Sequence, residues 1–252
     1  MDPTAARRAS RLAAYDELRA HRPQLFVNPP GAAFEILLDR GDQDHVADQA
    51  ARQMRERDIP EEYGDIGVVY QDPYVMLVRD AVRFRSGARG AYVRLIKPND
   101  GVAAAILPVL PDGRIVLVKH FRHADRRWHW EIPRGWGEPG ADGPRTARRE
   151  LAEELGVTPV EVVYLGRLST DSGTGGGYDE LYLARLDSGA EDALVADPGE
   201  GIDEVRAVPP DGLTQLLSDG ELVDSYTIAA FALATAHGLV DGFRRALGGP
   251  TG

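Results

Sequence analysis

Residues 149–157 read RELAEELGV, and they are the most informative stretch of this sequence. They place three carboxylates and one arginine within six positions. On a helix, Glu150 and Glu154 are four residues apart and share a face, where like charges repel. A hard divalent cation bound by carboxylate oxygens is the simplest reason for that placement. The stretch therefore predicts a helix that carries a metal site.

The alternative interpretation of the same run is an exposed acidic helix face, which is what most charge runs are. Exposed acidic faces are usually offset by a Lys or Arg three or four positions later, and here those positions hold no basic residue. Arg149 lies four positions before Glu153, which is the weaker order for a helical ion pair. These facts favour the metal site.

The spacing of the arginine, the three glutamates and the closing glycine resembles the signature box of the Nudix hydrolase family. Gly135, fourteen residues before Arg149, fits the glycine that opens this box. The glutamate expected six residues after that glycine falls on Ala141, so the chain departs from the strict pattern. Glu138 and Asp142 lie nearby in the sequence and are the candidates to replace it.

Two flanking segments are similar to the ADP-ribose pyrophosphatase-like branch of that family. Residues 131–135, EIPRG, resemble the run that opens the box in this branch, and residues 116–123, VLVKHFRH, resemble the strand and loop before it. The resemblance implies an α/β protein, a Nudix α/β/α sandwich with a mixed sheet and a small N-terminal extension.

The expected domain organisation has three parts. Residues 1–62 are expected to form an N-terminal helical cap or extension, residues 63–246 the Nudix hydrolase domain, and residues 247–252 a flexible tail. The first part carries no recognisable motif, and it is too apolar in places for a disordered segment. It is therefore expected to pack on the catalytic domain or on a second subunit.

Periodicity and turn signals predict the main elements. Apolar spacing predicts a helix over residues 3–20. Residues 42–57 are expected to form a polar, exposed helix, and residues 225–239 an apolar helix that covers the sheet. The run Pro-Asp-Gly at residues 111–113 predicts a hairpin between two strands. Residues 122–143 read as a long loop, and long loops in compact domains are usually functional.

The composition excludes several classes of function. A formal net charge of -11 argues against a surface that binds duplex nucleic acid, which is usually basic. No segment reaches the roughly 18 uninterrupted apolar residues of a membrane span. Cysteine is absent, which fits a reducing interior, and no signal-peptide core follows the first arginines. We expect a cytoplasmic protein with no nucleic-acid or membrane partner.

The family resemblance implies a role for each residue of the box. Glu150 and Glu154 are the expected ligands of Mg²⁺ or Mn²⁺. Glu153 is expected as a further ligand or as a catalytic group beside the metal, and Arg149 is expected to orient a carboxylate. In such a site, one metal can neutralise a diphosphate and another can activate a water molecule.

A general base is expected on a loop after the box, and two segments supply candidates. Glu180 closes the glycine-rich run at residues 171–180, whose glycines predict a loop that closes over substrate. Glu200 opens the acidic run at residues 200–204. Both remain open, and for both the alternative is a solvent-facing carboxylate at a strand edge.

The stretch before the box is basic although the protein is acidic, which suits a diphosphate ligand. Arg122 and Arg134 are the expected contacts to the phosphates, with Glu131 as a further substrate contact. Three tryptophans also crowd this stretch, and one of them is expected to stack on a nucleobase while two pack in the core. Trp130 is the choice for the stacking ring.

The predicted activity is hydrolysis of a nucleoside diphosphate linked to another moiety. ADP-ribose is the best candidate, giving AMP and ribose 5-phosphate. Dinucleotide coenzymes, sugar nucleotides and prenyl diphosphates are alternative substrates. A Nudix-fold ligand sensor with weak hydrolysis is the alternative class; Ala141 favours it, and the three intact glutamates oppose it. A homodimer through the early strands is expected from the resemblance.

Overall fold

In the computed structural model of the chain, residues 3–241 are described. Contacts divide the chain into two compact units. Unit 1 comprises Met1–Pro98 and Asp171–Gly177, and unit 2 comprises Asn99–Thr170 and Tyr178–Gly252. The expected boundary between residues 62 and 63 falls inside unit 1, and the expected tail, residues 247–252, lies outside the described residues.

Unit 1 combines two helices with a four-stranded sheet. Its elements are α1 (Pro3–His21), β1 (Phe34–Ile36), α2 (Arg40–Glu56), β2 (Gly67–Gln71), β3 (Met76–Phe84) and β4 (Arg89–Ile96), with 3-10 turns at Pro23–Phe26 and Glu61–Gly64. Strand β3 pairs antiparallel with each of the other three strands. Helix formation over residues 3–20 and 42–57 is confirmed within a few residues.

A buried carboxylate fastens α1 within unit 1. Asp65 is fully buried and accepts hydrogen bonds from Arg7, Arg8 and Arg11 at 2.7, 3.1 and 2.6 Å. Burial alone would raise the pKa of Asp65, but the hydrogen bonds from Arg7 and Arg8 hold it below its usual value. The arginines at the start of the chain therefore anchor α1 through one paired buried charge.

Unit 2 is built on a seven-stranded mixed sheet. Its strands are β5 (Ala104–Val109), β6 (Ile115–Arg122), β7 (Arg127–Glu131), β8 (Arg134–Gly135), β9 (Glu161–Leu168), β10 (Asp179–Arg185) and β11 (Ile202–Val208). The main order is β11-β6-β5-β10-β9, with β7 on β6 and β8 on β5. Only the pairing of β10 with β5 is parallel among the described strands.

Helices cover both faces of this sheet. They are α3 (Gly143–Leu155), α4 (Ala190–Ala193), α5 (Pro210–Ser218) and α6 (Ser225–Ala236). Alternate residues of β5 point to opposite faces, so Ile106 packs in one core cluster with Leu151 of α3, and Leu107 packs in another with Phe231 of α6. The expected α/β/α sandwich with a mixed sheet is confirmed. Within residues 3–241, none of the helices is long and apolar enough to cross a membrane.

The prediction of a long loop over residues 122–143 was wrong. Strand β7 pairs antiparallel with the end of β6, and β8 pairs with the start of β5. The rings of Phe121 and Trp128 meet edge to face across the β6–β7 pair, with centroids 5.3 Å apart. A positive φ of 63° at Arg126 makes the turn between these strands.

Candidate active site

Local signals in the sequence set the limits of helix α3. Asp142 caps its first turn by accepting a hydrogen bond from the backbone N–H of Arg145 at 2.9 Å. Pro144 occupies the first turn, where its missing N–H is not needed. Gly156 ends the helix in the left-handed conformation, with φ of 71°. The predicted start and stop of the box helix are both confirmed.

The three glutamates of the box have different surroundings. Glu150 and Glu154 are 6% and 4% exposed, whereas the side chain of Glu153 is 47% exposed. Arg149 donates to both Glu150 and Glu153, and it also donates to the carbonyl of Trp136 at 2.5 Å. Arg149 therefore orients carboxylates, as expected, while two of the three glutamates form a buried acidic pair.

Burial raises the pKa values of both carboxyl groups in this pair. Burial raises the pKa of Glu154 to about 8, and the charges of Glu150 and Glu131 add to the effect. Burial likewise raises the pKa of Glu150 to about 7, against the opposing effect of Arg149. Oε2 of Glu154 is buried and has no hydrogen-bond partner in the structure. An orphaned carboxylate oxygen beside a second buried carboxylate fits a divalent cation.

The expected set of three metal ligands is not assembled. No group of three His, Cys, Asp or Glu side chains in the described part of the chain is placed to hold a metal ion. Glu153 instead lies toward solvent and pairs with Arg149. Mg²⁺ usually takes one or two protein carboxylates and completes its shell with water and substrate phosphate. The Glu150–Glu154 pair alone meets that requirement.

Gly135 lets β8 approach the acidic pair. A Cβ atom at this position would collide with the carboxylate of Glu150. Charge effects also connect β8 with the pair, because the backbone N–H of Arg134 lowers the pKa of Glu154 against the larger, opposing effect of burial. Strand β8, at the start of the box sequence, therefore lies directly against the Glu150 carboxylate on α3.

The variant Gly135→Ala is expected to lower metal-dependent turnover at least about tenfold, because the new methyl group displaces the Glu150 carboxylate, and outer contacts of this kind change metal affinity about 10–100-fold. Steady-state kinetics across a range of Mg²⁺ concentrations measures the change. Gly189→Ala is the matched control, since its Cβ would meet only the Asp187 carboxylate at an ordinary 3.6 Å. Equal turnover in the two variants would contradict the assigned role of Gly135.

A polar cavity of about 190 Å³ is lined in part by both residues of β8. Its lining comprises Ala103, Ala104, Arg122, Arg134, Gly135, Trp136, Asp179 and Tyr226. The volume is below the range of about 300–1,000 Å³ for sites that enclose a drug-sized ligand. The cavity therefore has room for part of a nucleotide-sized ligand, and its two arginines suit an anionic part.

Glu131, a predicted substrate contact, lies buried against the two arginines that line the cavity. It is 1% exposed and accepts from Arg122 Nε at 3.0 Å and from Arg134 Nη2 at 3.3 Å. His120 Nδ1 lies 3.2 Å from the same carboxylate. Burial alone would raise the pKa of Glu131, but His120 and Arg122 hold it below its usual value. Glu131 therefore positions the arginines that line the cavity.

Trp130, the tryptophan predicted to stack on a nucleobase, lies outside the cavity lining. It packs against the core cluster on the α6 face, and the Arg206 guanidinium lies 5.8 Å from its ring centroid. Side chains alternate along β7, so Trp130 and Glu131 point to opposite faces of the sheet. Trp136, 49% exposed, is the tryptophan that lines the cavity.

The two candidate bases have different environments. Glu180 is half-buried beside the start of α3, and it accepts the hydroxyl of Tyr182 at 2.5 Å. Glu200 is exposed, and after burial and Glu153 its charge is a further cause of the raised pKa of Glu150. The carbonyl of the next residue, Gly201, accepts the N–H of Phe121 at 3.0 Å. Glu200 therefore acts electrostatically on the acidic pair, from a loop fastened to β6.

The glycine-rich loop expected to close over substrate is held by β4. The N–H of Leu95 donates to Thr174 at 2.8 Å, and the N–H of Gly176 donates back to Leu95 at 3.0 Å. The hydroxyl of Tyr92 also donates to the carbonyl of Gly173, at 3.0 Å. Residues 171–177 thus belong to unit 1 by their contacts.

The two candidates to replace the glutamate missing at Ala141 have other partners. Glu138 pairs with Arg145 at 3.3 Å, and Asp142 caps α3. Ala141 itself is only 5% exposed. The carbonyl of Trp136 is the backbone group that supports the arginine of the box, through its hydrogen bond from Arg149.

Sequence reasoning missed Asp179 and Tyr226, which line the cavity, and Asp224, which pairs with Arg134. Asp224 caps α6, and an Asp directly before an apolar run is a signal that was available. Asp179 and Tyr226 are 47 positions apart, and no local pattern joins them. Their convergence depends on the packing of α6 against the sheet.

Comparison with known proteins identifies the family. Residues 99–231 match the NUDIX domain family. The chain is 32% identical over 128 residues to the ADP-ribose pyrophosphatase of Bacillus subtilis (strain 168), covering 51% of this chain and 69% of the relative. It is 35% identical over 109 residues to the ADP-ribose pyrophosphatase of Mycobacterium tuberculosis (strain ATCC 25618 / H37Rv), covering 43% and 51%.

A solved structure shows the same fold. The crystal structure of an ADP compounds hydrolase aligns with a TM-score of 0.57 at 20% identity, over 68% of this chain and 89% of that chain. The fold, the box helix and the sequence matches define one class of enzyme, and the chain belongs to the Nudix family. Its class of activity is that of a Nudix pyrophosphohydrolase.

Proposed function

We propose that the protein hydrolyses the diphosphate bond of ADP-ribose, giving AMP and ribose 5-phosphate, with Mg²⁺ or Mn²⁺ as cofactor. The observation that carries the proposal is the buried pair of Glu150 and Glu154, which lies against Gly135, a residue that also lines a cavity with two arginines. The relatives named as ADP-ribose pyrophosphatases support the choice of substrate.

Glu150 and Glu154 are the side chains that would hold the metal. A bound divalent cation supplies charge neutralisation at the diphosphate and lowers the pKa of a coordinated water. Arg149 holds the Glu150 carboxylate in place, and Glu153 holds Arg149 from the solvent side. The chain itself therefore contributes a fixed pair of oxygen ligands.

Arg122 and Arg134 are the proposed contacts to the diphosphate. Both form ion pairs with the buried carboxylate of Glu131, and these contacts fix their orientation in the cavity. Both line the cavity, and their guanidinium groups match the geometry of phosphate oxygens. Preorganised cations of this kind stabilise the charge that develops on phosphate oxygens during transfer.

Glu200 is the proposed general base. Its carboxylate is exposed and acts on Glu150, whereas the Glu180 carboxylate is already engaged by Tyr182. Since a general base contributes about 10²–10⁴-fold, Glu200→Gln should lower kcat by about that factor. Glu180→Gln is the matched variant, and it should lower kcat less than about tenfold. The pH–rate profiles of both variants provide the measurement, and the reverse order of effects would transfer the role to Glu180.

We further propose that a second copy of the chain is a partner through unit 1. Among the described residues, β4 pairs with β3 along one edge, and on its other edge Leu95 alone meets the segment around Gly175. Exposed strand edges readily pair with another chain. Light scattering should give a mass near twice the chain's 27.4 kDa. A monomer mass at micromolar concentration would rule this partner out.

The experiment that tests the proposed activity is Mg²⁺-dependent hydrolysis of a panel of diphosphates. The panel comprises ADP-ribose, a dinucleotide coenzyme, a sugar nucleotide and a prenyl diphosphate. Release of AMP from ADP-ribose at the highest kcat/KM supports the proposal. Preferred cleavage of another member would replace the substrate, and tight binding without cleavage would indicate a ligand sensor.

A further inference from the structure

Three side chains surround the Arg134 guanidinium, and two of them, Asp224 and Tyr226, belong to the start of α6. Asp224 Oδ1 lies 3.2 Å from the Arg134 guanidinium, and Glu131 Oε2 lies 3.3 Å from it. The ring of Tyr226 forms the third side, with the guanidinium carbon 4.2 Å from its centroid. This distance is well within the range of about 6 Å for a cation–π interaction. Nε of Arg134 is buried and has no hydrogen-bond partner in the structure.

Tyr226 also contacts a second residue of the cavity lining, Asp179. Its hydroxyl donates to Asp179 Oδ2, and both residues line the cavity. Burial, together with the hydrogen bond to Asp179, raises the pKa of Tyr226, so the hydroxyl stays protonated and donates. Tyr226 therefore contacts one cation through its ring and one carboxylate through its hydroxyl.

The turn that carries Tyr226 is itself fixed. Asp224 Oδ2 caps α6 by accepting from the backbone N–H and the hydroxyl of Thr227 at 2.8 and 2.7 Å. The same hydroxyl accepts the N–H of Ile132, between β7 and β8, at 3.0 Å. Thr227 is fully buried. The start of α6 is thus hydrogen-bonded to the segment that leads into Arg134.

We propose that Tyr226 is a positioning residue for substrate, whose ring holds the Arg134 guanidinium against the diphosphate. The inference rests on the proposed function, because the diphosphate is the ligand in both. An unrestrained arginine side chain loses conformational entropy on binding, and a preorganised one avoids most of that loss. The first turn of α6 is therefore part of the active site as well as of the core.

Three variants separate positioning from packing. Tyr226→Leu removes the ring, and KM for ADP-ribose should rise about tenfold with a smaller change in kcat, since a partly desolvated cation–π contact contributes about this much. Tyr226→Phe keeps the ring and loses only the hydroxyl, so its KM should stay within about twofold. Asp224→Asn keeps a good cap for α6 but removes the charge beside Arg134, so its KM should also rise.

The control is Tyr74→Leu, the same change at a tyrosine of unit 1 that is 72% exposed. Thermal melts report whether each variant is folded. If Tyr226→Leu does not fold, the KM of Asp224→Asn relative to that of Tyr226→Phe provides the test instead. Equal KM values for the Leu and Phe variants, or for Asp224→Asn and wild type, would overturn the positioning role.

A calorimetric titration with Mg²⁺-pyrophosphate separates this inference from the proposed substrate. Weaker binding to Tyr226→Leu by about tenfold, with wild-type binding by Tyr226→Phe, supports the positioning role even if ADP-ribose is not hydrolysed. Hydrolysis of ADP-ribose that is unaffected by Tyr226→Leu overturns the inference and leaves the proposed function intact. Absence of pyrophosphate binding to the wild-type protein also overturns it.

Discussion

Replacing Glu154 with Gln is expected to abolish Mg²⁺-dependent hydrolysis of ADP-ribose, lowering kcat about a thousandfold. The side chain keeps its shape but loses the negative charge proposed to bind the cation. A metal ion stabilises a transition state of this kind by several kcal/mol, and each 1.4 kcal/mol or so changes the rate about tenfold. Steady-state kinetics at saturating Mg²⁺ gives the measurement. Glu161→Gln, at an exposed ion pair with Arg185, is the matched control. A variant that keeps more than about a tenth of wild-type kcat would remove Glu154 from the metal site.

The same substitution should stabilise the protein when no metal is present. The pKa of Glu154 is about 8 in the folded chain, above the ordinary value of 4.5. The folded state therefore binds the extra proton, and stability falls as the pH rises from 4.5 toward 8. A glutamine side chain at this position carries no charge and escapes this loss. In the presence of a chelator at pH 8, Glu154→Gln should melt at a higher temperature than wild type, and added Mg²⁺ should stabilise only wild type.

Removing the carboxylate of Glu131 is expected to cause the largest loss of stability in unit 2. The variant Glu131→Ala removes the buried carboxylate that pairs with Arg122 and leaves Arg134 with Asp224 alone, and breaking a buried pair costs about 3–5 kcal/mol. Urea denaturation gives the free energy of unfolding. The matched control is Glu204→Ala, at an exposed contact of 3.8 Å with Lys119. An exposed pair of that kind contributes about 0–1 kcal/mol.

Activity provides a second test of Glu131. The isosteric variant Glu131→Gln keeps the hydrogen-bonding shape and should fold at moderate temperature, so it isolates the role of the charge. Its arginines lose their anchor, and we expect KM for ADP-ribose to rise about 10–100-fold, as for removal of one buried charge partner worth about 1.5–3 kcal/mol. An unchanged KM together with unchanged stability would show that Glu131 does not hold the two arginines.

The parts of the site that follow local rules were predictable from the sequence. Asp142 and Gly156 are typical cap residues, so the limits of α3 could be placed without a structure. The spacing of Glu150 and Glu154 also placed both carboxylates on one helix face, and the structure shows that this face is the buried one. The α/β/α arrangement followed from the family resemblance and is confirmed.

The predictions that differ from the structure concern residues whose surroundings depend on which face of the sheet they occupy. Trp130 and Glu131 are adjacent, and sequence could not say which of them would lie near the cavity until β7 was recognised as a strand. The alternation of Trp128 and Trp130 with polar neighbours is a strand signal, and it outweighs the loop prediction for this stretch. Tyr226 sits in an apolar helix, and only the packing of α6 brings its hydroxyl to Asp179.

The loss of Glu153 from the expected ligand set has a physical reason. On α3, Glu150 and Glu154 face the sheet, whereas Glu153 is rotated about 100° from Glu154 toward solvent. There it pairs with Arg149, four residues earlier, and this pair steadies the arginine that also holds Glu150. Glu153 therefore supports the proposed metal site through Arg149.

The central claim is that the buried pair Glu150 and Glu154 binds a divalent cation. Titration of the metal-free protein with Mn²⁺ at pH 8, followed by electron paramagnetic resonance of the free ion, tests it without any substrate. We predict saturable Mn²⁺ binding by wild type that is lost in the double variant Glu150→Gln/Glu154→Gln and retained in Glu161→Gln. Unchanged Mn²⁺ binding by the double variant would contradict the assignment of these two carboxylates as the metal site.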